Sequence, residues 1–457
     1  MRILFVAHYY LPHHQAGTEL YTRGLVREFK RQGHQVSVFA SEDQSRPGLA
    51  LKTDEDEGVK VFRLDHSEPF DFKSGYLRPE FDEIFGKILD ELKPDLVHFQ
   101  HLLRLSVGFV SEAYQRKIPA VLTLADYWLI CPAIIMLKPE DRVCPGPDFA
   151  GACAHCPHSF SAFYPGEASA ERAGIYQLAE AGLGLAHKWK RKLPPNWVDW
   201  LREKFGKKAE LEQRLGLLRE RWSEMRKMTD QLSLLIAPSK FLSEMMIKSG
   251  MAPKEKIIYS DYGFGTERFQ QDRSPFLVPR SSLTLGFIGT LVRHKGVHLL
   301  LQALRMIPAQ NLELKIFGEE KDFPGYVRML KKIAGKDKRI KWMGRIENDL
   351  IPEALSQIDV LIVPSLWYEN SPLTIHEAFL AKVPVIASNL GGMAELVQEG
   401  RGGILFEPNN FADLSEKIQG LLKNPDRLTS LKSSIPQVKS INQNYQELLE
   451  IYRKFVH

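Results

Sequence analysis

Long apolar runs are missing from this sequence of 457 residues. None approaches the ~18 residues that a membrane-spanning helix needs, so we predict no segment that crosses a bilayer. The opening stretch MRILFVAHYYLP lacks the cleavage site of a signal peptide, and we interpret it as a buried strand of a cytoplasmic protein. Internal repeats and low-complexity tracts are absent too. With 44% hydrophobic and 26% charged residues, the composition is that of a soluble globular enzyme, and the length favours two domains.

Cysteine is scarce, and its few positions are clustered. All of them lie within one short stretch, as Cys131, Cys144, Cys153 and Cys156. The last two form a C-x-x-C pair, and four thiolates close together are typical of a structural metal site. We predict zinc there, with an iron–sulfur cluster as the alternative, holding a loop beside a ligand cleft. His155 or His158 could replace one thiolate, and free or redox thiols are the competing interpretation.

A charge surplus is confined to one segment, although the net charge is only +5. Residues 188–227 hold 13 Lys or Arg against 6 Asp or Glu, together with four of the seven tryptophans. The simpler interpretation is a set of helices with charged outer faces and buried tryptophans. The second is peripheral contact with an anionic membrane surface, at the inner face of the cell membrane, or with a lipid-linked acceptor. No recognised nucleic-acid-binding module is present, so we expect no nucleic acid partner.

Short apolar runs alternate with helical patterns in two separate sets. Such runs are typical of strands buried on both faces of a parallel sheet. We predict a first set at 2–7, 35–40, 59–64, 96–100 and 120–125, and a second at 234–239, 283–289, 312–318, 340–344, 360–365, 383–388 and 403–406. The βαβ rhythm predicts an α/β protein of two Rossmann-like, doubly wound domains that face one another across a cleft.

The same pattern predicts the domain boundaries. The first domain covers 1–232, including the cysteine insert 131–156 and a basic helical insertion at 157–232. The second domain covers 233–430. A C-terminal helical segment, 431–457, then packs back on the first domain. The first helix of the chain is expected at about 17–32, because Gly33 follows it.

Two glutamates mark the expected ligand site. Ser371-Pro372 is a helix-start pattern, which places Glu369 in the preceding loop and Glu377 inside the helix. Helix-start amides favour phosphate, and ionised carboxylates accept hydrogen bonds from sugar hydroxyls. This combination suits a sugar nucleotide. Solvated or capping glutamates are the alternative explanation of such a pair.

The stretch YENSPLTIHEAFLAKVPVIASNLGGMAELVQEGRGGILFEPNN, residues 368–410, resembles the nucleotide-sugar site of retaining glycosyltransferases of family 4, which have the GT-B fold. A subset of that family has a similar cysteine insert. The resemblance implies that Glu377 contacts the ribose and Glu369 the donor sugar. It also implies that backbone lies along the diphosphate and sugar at Asn370, Ser371, Pro372 and Leu373.

Other donor-site residues follow from the same resemblance. FIGTLVRHKGVHLLLQAL, residues 287–304, is similar to the family's second donor element, in which Lys295 would bind the diphosphate. Thr290 stands where relatives usually have arginine, and Arg293 could supply that cation. A loop with the paired glycines Gly391 and Gly392 would close over the donor, near Glu395. Gly17 resembles the N-terminal glycine that approaches the diphosphate from the other domain.

The resemblance implies a further catalytic position near the fifth predicted strand. Many relatives read Leu-His-Asp there, whereas this chain has Ala125 and keeps Asp126. Asp126 or the neighbouring His101 would take over the role, or the activity is altered. His98 and His101 lie near the end of the fourth predicted strand, where a packed or hydrogen-bonded histidine is more common than a catalytic one.

The family implies a hexosyl-type enzyme that uses a nucleoside-diphosphate sugar and retains the anomeric configuration. The acceptor would be a glycan or a lipid-linked hydroxyl, as in glycan, polysaccharide or glycolipid synthesis, and no cofactor is expected for catalysis. Two alternatives stay open. One is a catalytically weak or inactive scaffold that binds nucleotide sugars in a polysaccharide assembly system. The other is a nucleotide-sugar epimerase of the same fold.

Overall fold

The computed structural model of the chain describes residues 1–43, 48–66, 71–147, 151–160, 195–269 and 282–456, with the backbone alone over 195–207. Residues 161–194, which hold Trp189 and part of the predicted basic insertion, lie outside the described residues, as do the side chains of Trp197 and Trp200. Two large sheets organise the molecule.

The first sheet has eight strands in the order β10-β9-β6-β5-β1-β2-β4-β3. All neighbours are parallel except β3 and β4, which form an antiparallel edge pair. A separate two-stranded hairpin, β7-β8, lies in the cysteine insert. The strands of this sheet and of the hairpin are β1 Arg2–Ala7, β2 Gln35–Asp43, β3 Leu49–Asp56, β4 Val59–His66, β5 Leu96–Phe99, β6 Ala120–Thr123, β7 Leu137–Lys138, β8 Arg142–Val143, β9 Leu234–Ala237 and β10 Ile257–Tyr259.

The second sheet has seven parallel strands in the order β13-β12-β11-β14-β15-β17-β16. Its central strands are buried along their whole length, which explains their unbroken apolar sequences. The strands are β11 Leu283–Ile288, β12 Leu312–Phe317, β13 Ile340–Gly344, β14 Val360–Val363, β15 Val385–Ser388, β16 Gln398–Glu399 and β17 Gly402–Phe406.

Helices connect the strands in both domains. Those before the second sheet are α1 Gly17–Arg31, α2 Pro79–Leu92, α3 Gly108–Gln115, α4 Ala152–His155, α5 Pro195–Gln231 and α6 Lys240–Lys248. Those that follow are α7 Val297–Arg305, α8 Pro324–Ala334, α9 Ile351–Ser356, α10 Leu373–Leu380, α11 Gly391–Leu396, α12 Phe411–Lys423, α13 Pro425–Ser433 and α14 Ile441–Tyr452. The predicted α/β class with two doubly wound domains is confirmed.

The prediction that 234–239 begins the second sheet is wrong. Strand β9 pairs in parallel with β6, with Val121 opposite Leu234, and β10 extends the same sheet. The long helix α5 is therefore a crossover between two neighbouring strands of the first sheet, and that sheet continues past the predicted limit at 232. A short apolar run does not reveal which sheet will accept it.

Strand β3 has no counterpart among the predicted strands. Seven of its eight residues are exposed, and its sequence ends in the acidic run TDED. It therefore carries no apolar pattern. Charged, exposed residues are typical of an edge strand, where they discourage pairing with another chain.

The chain ends on the first domain. Helix α14 packs against α1, and the Tyr21 hydroxyl donates a hydrogen bond to Asn444 Oδ1 at 2.8 Å. The Tyr452 ring stacks on Phe29, and its hydroxyl lies 2.5 Å from His98 Nδ1. Fully buried, and with Nε2 bonded to the Thr123 hydroxyl at 2.8 Å, His98 is a packed residue. Burial lowers the pKa of His98 to about 3, so the ring is neutral.

The described part of α5 packs on the first domain. Trp222 is buried, as the simpler interpretation of this segment predicted for its tryptophans, and Met225 lies beside it in the core. Arg221 is also buried, and its guanidinium donates to the Trp128 carbonyl. Within the described residues, no helix has the length and apolar character needed to span a membrane.

Candidate nucleotide-sugar site

The candidate site lies at the carboxyl ends of two adjacent strands, β11 and β14. The loop after β11 carries Lys295, and the loop after β14 carries Glu369. Because neighbouring parallel strands end at the same edge of a sheet, the two side chains meet, with Lys295 Nζ 2.6 Å from Glu369 Oε1. The second sheet therefore brings together two residues that lie 74 positions apart in the sequence.

Glu369 is held by three donors. Its Oε1 accepts hydrogen bonds from Lys295 Nζ, from the Ser365 hydroxyl at 2.7 Å and from Trp367 Nε1 at 3.0 Å. Burial by itself would raise the pKa of Glu369, but the Lys295 charge and the hydrogen bonds outweigh it and lower the pKa below its usual value. The side chain is therefore an ionised acceptor at neutral pH.

Glu377 lies in the middle of α10 and faces a different cation. Arg268, which was not predicted, donates from Nη2 to Glu377 Oε1 at 2.8 Å. Burial raises the pKa of Glu377 to about 7, although the Arg268 charge and hydrogen bond pull it down. Unlike Glu369, this carboxylate is balanced between its two protonation states near neutral pH.

Two glycines permit the loops of the site to pack closely. Gly296, next to Lys295, has φ +72°, and a Cβ there would lie 1.8 Å from the Pro364 carbonyl oxygen. A Cβ on Gly392 would lie 1.4 Å from the Asn370 carbonyl oxygen, and the Gly392 amide donates to the Glu369 carbonyl at 2.8 Å. The lack of a side chain at Gly392 thus allows α11 to contact the backbone of the Glu369 loop.

The start of α10 differs from the prediction. Pro372 is the N-cap residue and Leu373 the first helical residue, and Ser371 makes no capping hydrogen bond. Its hydroxyl instead donates to Asp261 Oδ1 at 2.6 Å and lies 2.7 Å from His376 Nε2. Ser371, Asp261 and His376 are all buried, so this cluster fixes the loop from within the protein.

Asn370 joins the site to the first domain. Its Nδ2 donates to the Ala125 carbonyl oxygen at 2.7 Å. Its Oδ1 is one of several buried side-chain atoms, among the described residues, that have no hydrogen-bond partner. A buried acceptor of this kind can receive a hydrogen bond from a ligand hydroxyl.

Arg293 and Thr290 are not engaged with the two glutamates. Arg293 makes a bidentate ion pair with Asp141 of the first domain, with Nη2 to Oδ2 at 2.6 Å and Nε to Oδ1 at 2.9 Å. Thr290 is exposed at the end of β11. The arginine that could replace the family's cation is thus used in a contact between the domains.

Two predicted residues of the first domain form a hydrogen-bonded pair. His101 Nε2 lies 2.9 Å from Asp126 Oδ2, while Nδ1 accepts the Leu103 amide at 2.9 Å. Because Nδ1 is an acceptor, Nε2 carries the proton and donates to Asp126. The His8 ring lies 4.8 Å from the His101 ring, with Glu19 Oε1 3.4 Å from His8 Nε2.

The first domain packs against the loops of the candidate site. Gly17 faces α10, where a Cβ would lie 3.4 Å from Leu373 Cδ1. Asn348 Nδ2 donates to Gln15 Oε1 at 3.2 Å across the cleft. Glu395, which is expected near the donor, accepts the backbone amides of Lys240 at 2.9 Å and Phe241 at 2.5 Å, at the start of α6. The cleft is thus lined by both domains.

That the four cysteines bind a metal ion stays a prediction. Cys131, Cys144 and Cys153 pack against one hydrophobic cluster, and burial raises the pKa of Cys131 to about 12, which favours the thiol. Among the residues described, no group of three or more His, Cys, Asp or Glu side chains is arranged to hold a metal ion. Metal analysis of the purified protein would test the prediction directly.

Two family models match the chain on either side of this cleft. One, described as glycosyl transferases group 1, matches residues 269–438, and the other, Glycosyltransferase Family 4, matches 16–135. The chain carries glycosyltransferase group 1 and family 4 domains. The group 1 domain contains Lys295, Glu369 and Glu377, whereas the family 4 domain contains His101 and Asp126.

Curated relatives align over parts of the chain. Spore coat protein SA of Bacillus subtilis is 29% identical over 181 residues, 37% of this chain and 48% of the relative. The D-inositol 3-phosphate glycosyltransferase of Corynebacterium urealyticum is 26% identical over 201 residues, 41% of this chain and 47% of the relative. The chain thus spans about half the length of the curated relatives it matches.

Solved structures match almost the whole chain. Sucrose-phosphate synthase from Thermosynechococcus elongatus has a TM-score of 0.65 at 16% identity, covering 99% of this chain and 98% of that one. Anabaena HepE, in complex with UDP and glucose, has a TM-score of 0.64 at 17% identity, covering 99% of both chains. These likenesses show that the fold is the two-domain GT-B fold.

Three residues of the site had no predictive signal of their own. Asp261 and His8 lie in loops, and Arg268 lies in a single turn of 3-10 helix. Arg268 and Asp261 bond to residues that are 109 and 110 positions away in the sequence. The His8 ring packs against the distant His101 ring. His376 directly precedes Glu377 and could have been singled out as a polar residue on a mostly apolar helix. Contacts of this kind depend on how the two sheets face each other, which local patterns do not encode.

Proposed function

We propose that this protein transfers a hexosyl group from a nucleoside-diphosphate sugar to an acceptor hydroxyl with retention of configuration. The observation that carries the proposal is the Lys295–Glu369 pair at the carboxyl edge of the group 1 domain, with Glu377 on the adjoining helix. A cation for diphosphate beside carboxylates for hydroxyls matches the chemistry of a sugar nucleotide. The HepE structure, which holds UDP and glucose in the same fold, supports this ligand class.

Each residue has a distinct role in the proposed reaction. Lys295 would offset the negative charge that develops on the departing diphosphate. Glu369 would accept hydrogen bonds from the donor sugar, and Glu377 from the ribose. The backbone at Asn370, Ser371, Pro372 and Leu373 would lie along the diphosphate and sugar, with Gly17, Gly391 and Gly392 at its edges.

Lys295 and Glu369 bond to each other in this structure, and a bound donor would give each of them a new partner. The lysine would turn to phosphate oxygen and the carboxylate to a sugar hydroxyl. The enzyme would then accelerate transfer mainly by holding donor and acceptor together and by stabilising the leaving group. His101 and Asp126 belong to the first domain, which we propose binds the acceptor, and we assign them a catalytic role near the transferred sugar.

A panel of UDP, GDP and ADP sugars, tested by thermal shift, examines donor binding. A donor at about 100 times its dissociation constant should stabilise the protein by ~2.7 kcal/mol. Incubation with glycan and lipid-linked acceptors, followed by NMR of the product's anomeric centre, then tests transfer and retention. Binding without hydrolysis or transfer would favour the inactive scaffold, and release of an epimerised free sugar would favour the epimerase.

A further inference from the structure

Arg268 is the cation that faces the second carboxylate of the site. It lies in the connection between the two sheets, directly before Phe269, and its side chain is half-buried. One end of its guanidinium donates to Glu377 Oε1 and the other to the Asn348 carbonyl oxygen, each at 2.8 Å. Asn348 in turn reaches Gln15 of the first domain. Arg268 therefore joins α10, the loop before α9 and the opposite wall of the cleft.

We propose that Arg268 is a positioning residue of the donor site, which stabilises the ionised form of Glu377 inside the buried cleft so that the carboxylate can accept hydrogen bonds from the ribose hydroxyls of the donor. This inference rests on the proposed function, because it takes the ribose as the ligand of Glu377. It assigns to Arg268 no contact with the reacting atoms.

The surroundings of Glu377 explain why a cation is needed. The side chain is only 8% exposed, and burying an ionised carboxylate without a partner is costly. Protonated, the group would keep a hydroxyl donor and lose acceptor capacity. Among the described residues, Arg268 supplies the charge that opposes the effect of burial. The neighbouring His376 is neutral because burial lowers its pKa, and its Nε2 faces Ser371.

The consequence is a donor affinity that depends on pH. Because burial raises the pKa of Glu377 to about 7, the ionised form gains population as the pH rises through that value. Donor affinity should therefore increase from pH 6 to pH 8.5. Without the guanidinium, the pKa of Glu377 should rise further, by roughly 1–3 units, because an arginine beside a carboxylate lowers its pKa by about that amount.

The test is isothermal titration of the full chain with the nucleotide sugar that binds most tightly in the thermal-shift panel. A nucleotide sugar is preferable to a free diphosphate, whose terminal phosphate ionises near the same pH. Between pH 6 and 8.5, the wild type should show a midpoint near 7. For Arg268→Gln the midpoint should rise by roughly one unit or more, with affinity at pH 7 about fivefold lower or worse.

Three variants separate positioning from folding. Arg268→Lys should recover part of the shift, and Glu377→Gln should bind weakly with no dependence on pH. Arg427→Gln, which removes the exposed Arg427–Glu399 pair in the same domain, should retain the wild-type profile. If Arg268→Gln does not fold, the profiles of Arg268→Lys and Glu377→Gln still decide the question.

The failures of the two proposals are distinguishable. A wild-type chain that binds no nucleotide sugar at any pH would overturn the proposed function and this inference together. A wild-type chain that binds with an affinity independent of pH, or an Arg268→Gln profile that coincides with the wild type, would overturn the role of Arg268 alone.

Discussion

At the scale of single residues, two glutamates of similar burial differ in ionisation because they have different partners. Glu369 accepts three hydrogen bonds, one of them from an ammonium group, whereas Glu377 has one guanidinium partner. The pKa falls in the first case and rises to about 7 in the second. The same side chain is thus a fixed acceptor in one position and a titrating acceptor in the other.

We expect Glu369→Ala to lower kcat by about 100-fold or more while changing donor affinity much less. A preorganised group at the reacting sugar contributes chiefly to the transition state, and removing one typically costs ~2.7–4 kcal/mol. Steady-state kinetics with the identified donor, combined with titration of the same donor, measures both quantities. Equal losses in kcat and in affinity would contradict the assignment of Glu369 to the sugar.

Glu377→Ala should have the opposite signature. Losing a charged hydrogen-bond acceptor costs about 1.5–3 kcal/mol, so donor affinity should fall roughly 10- to 100-fold, with a smaller change in kcat at saturating donor. Titration with the nucleoside diphosphate alone, above pH 8, measures this directly. An affinity equal to that of the wild type would refute the contact with ribose.

At the scale of elements, the packing of α11 against the Glu369 loop depends on the absence of a side chain at Gly392. Gly392→Ala places a Cβ where the Asn370 carbonyl oxygen lies, so one of the two backbones must shift. We expect a loss of roughly 1–3 kcal/mol in the free energy of unfolding, together with weaker donor binding. Urea unfolding and thermal shift with donor measure the two effects.

Gly216→Ala is the matched control. Gly216 also lies in a helix, α5, and nothing lies within 4 Å of a Cβ built there. The same substitution should be neutral or stabilise the protein by about 0.5–1 kcal/mol, since alanine favours helix more than glycine does. Similar destabilisation by both substitutions would show that close packing is not what Gly392 provides.

At the scale of the whole molecule, the C-terminal helix links the two ends of the chain. Helix α14 crosses from the second domain to cover α1, and Phe264 and Ser440, from the two segments that run between the domains, form a β-bridge. Asp261 belongs to one of these segments and also holds Ser371 in the donor-site loop. The candidate site and the connection between the domains are therefore in direct contact.

Tyr452→Ala should destabilise the protein strongly. It removes a fully buried ring that stacks on Phe29, and such truncations cost about 3–5 kcal/mol. Tyr452→Phe keeps the ring but leaves His98 Nδ1 without its hydroxyl partner, so a cost of only ~1–3 kcal/mol is expected. Urea unfolding compares the two. Equal losses would mean that the hydrogen bond, rather than the packed ring, dominates.

The sequence by itself determined the α/β class and most of the strands, because buried apolar runs separated by helices are local patterns. The resemblance to a known family nominated Lys295, Glu369 and Glu377 as a set, and their roles stay predictions. Strand β3 was not predicted because its exposed, acidic residues have no apolar pattern.

Only the tertiary structure decided the rest. It placed β9 in the first sheet. It showed that the Ser371 hydroxyl bonds to Asp261 and does not cap the helix. It also paired Arg293 with Asp141, and Arg268 with Glu377. Hydrogen bonds and ion pairs between distant segments depend on distances of about 3 Å that arise only when the sheets are assembled. A local pattern can nominate a charged residue, but the packed fold chooses its partner and, through burial, its charge state.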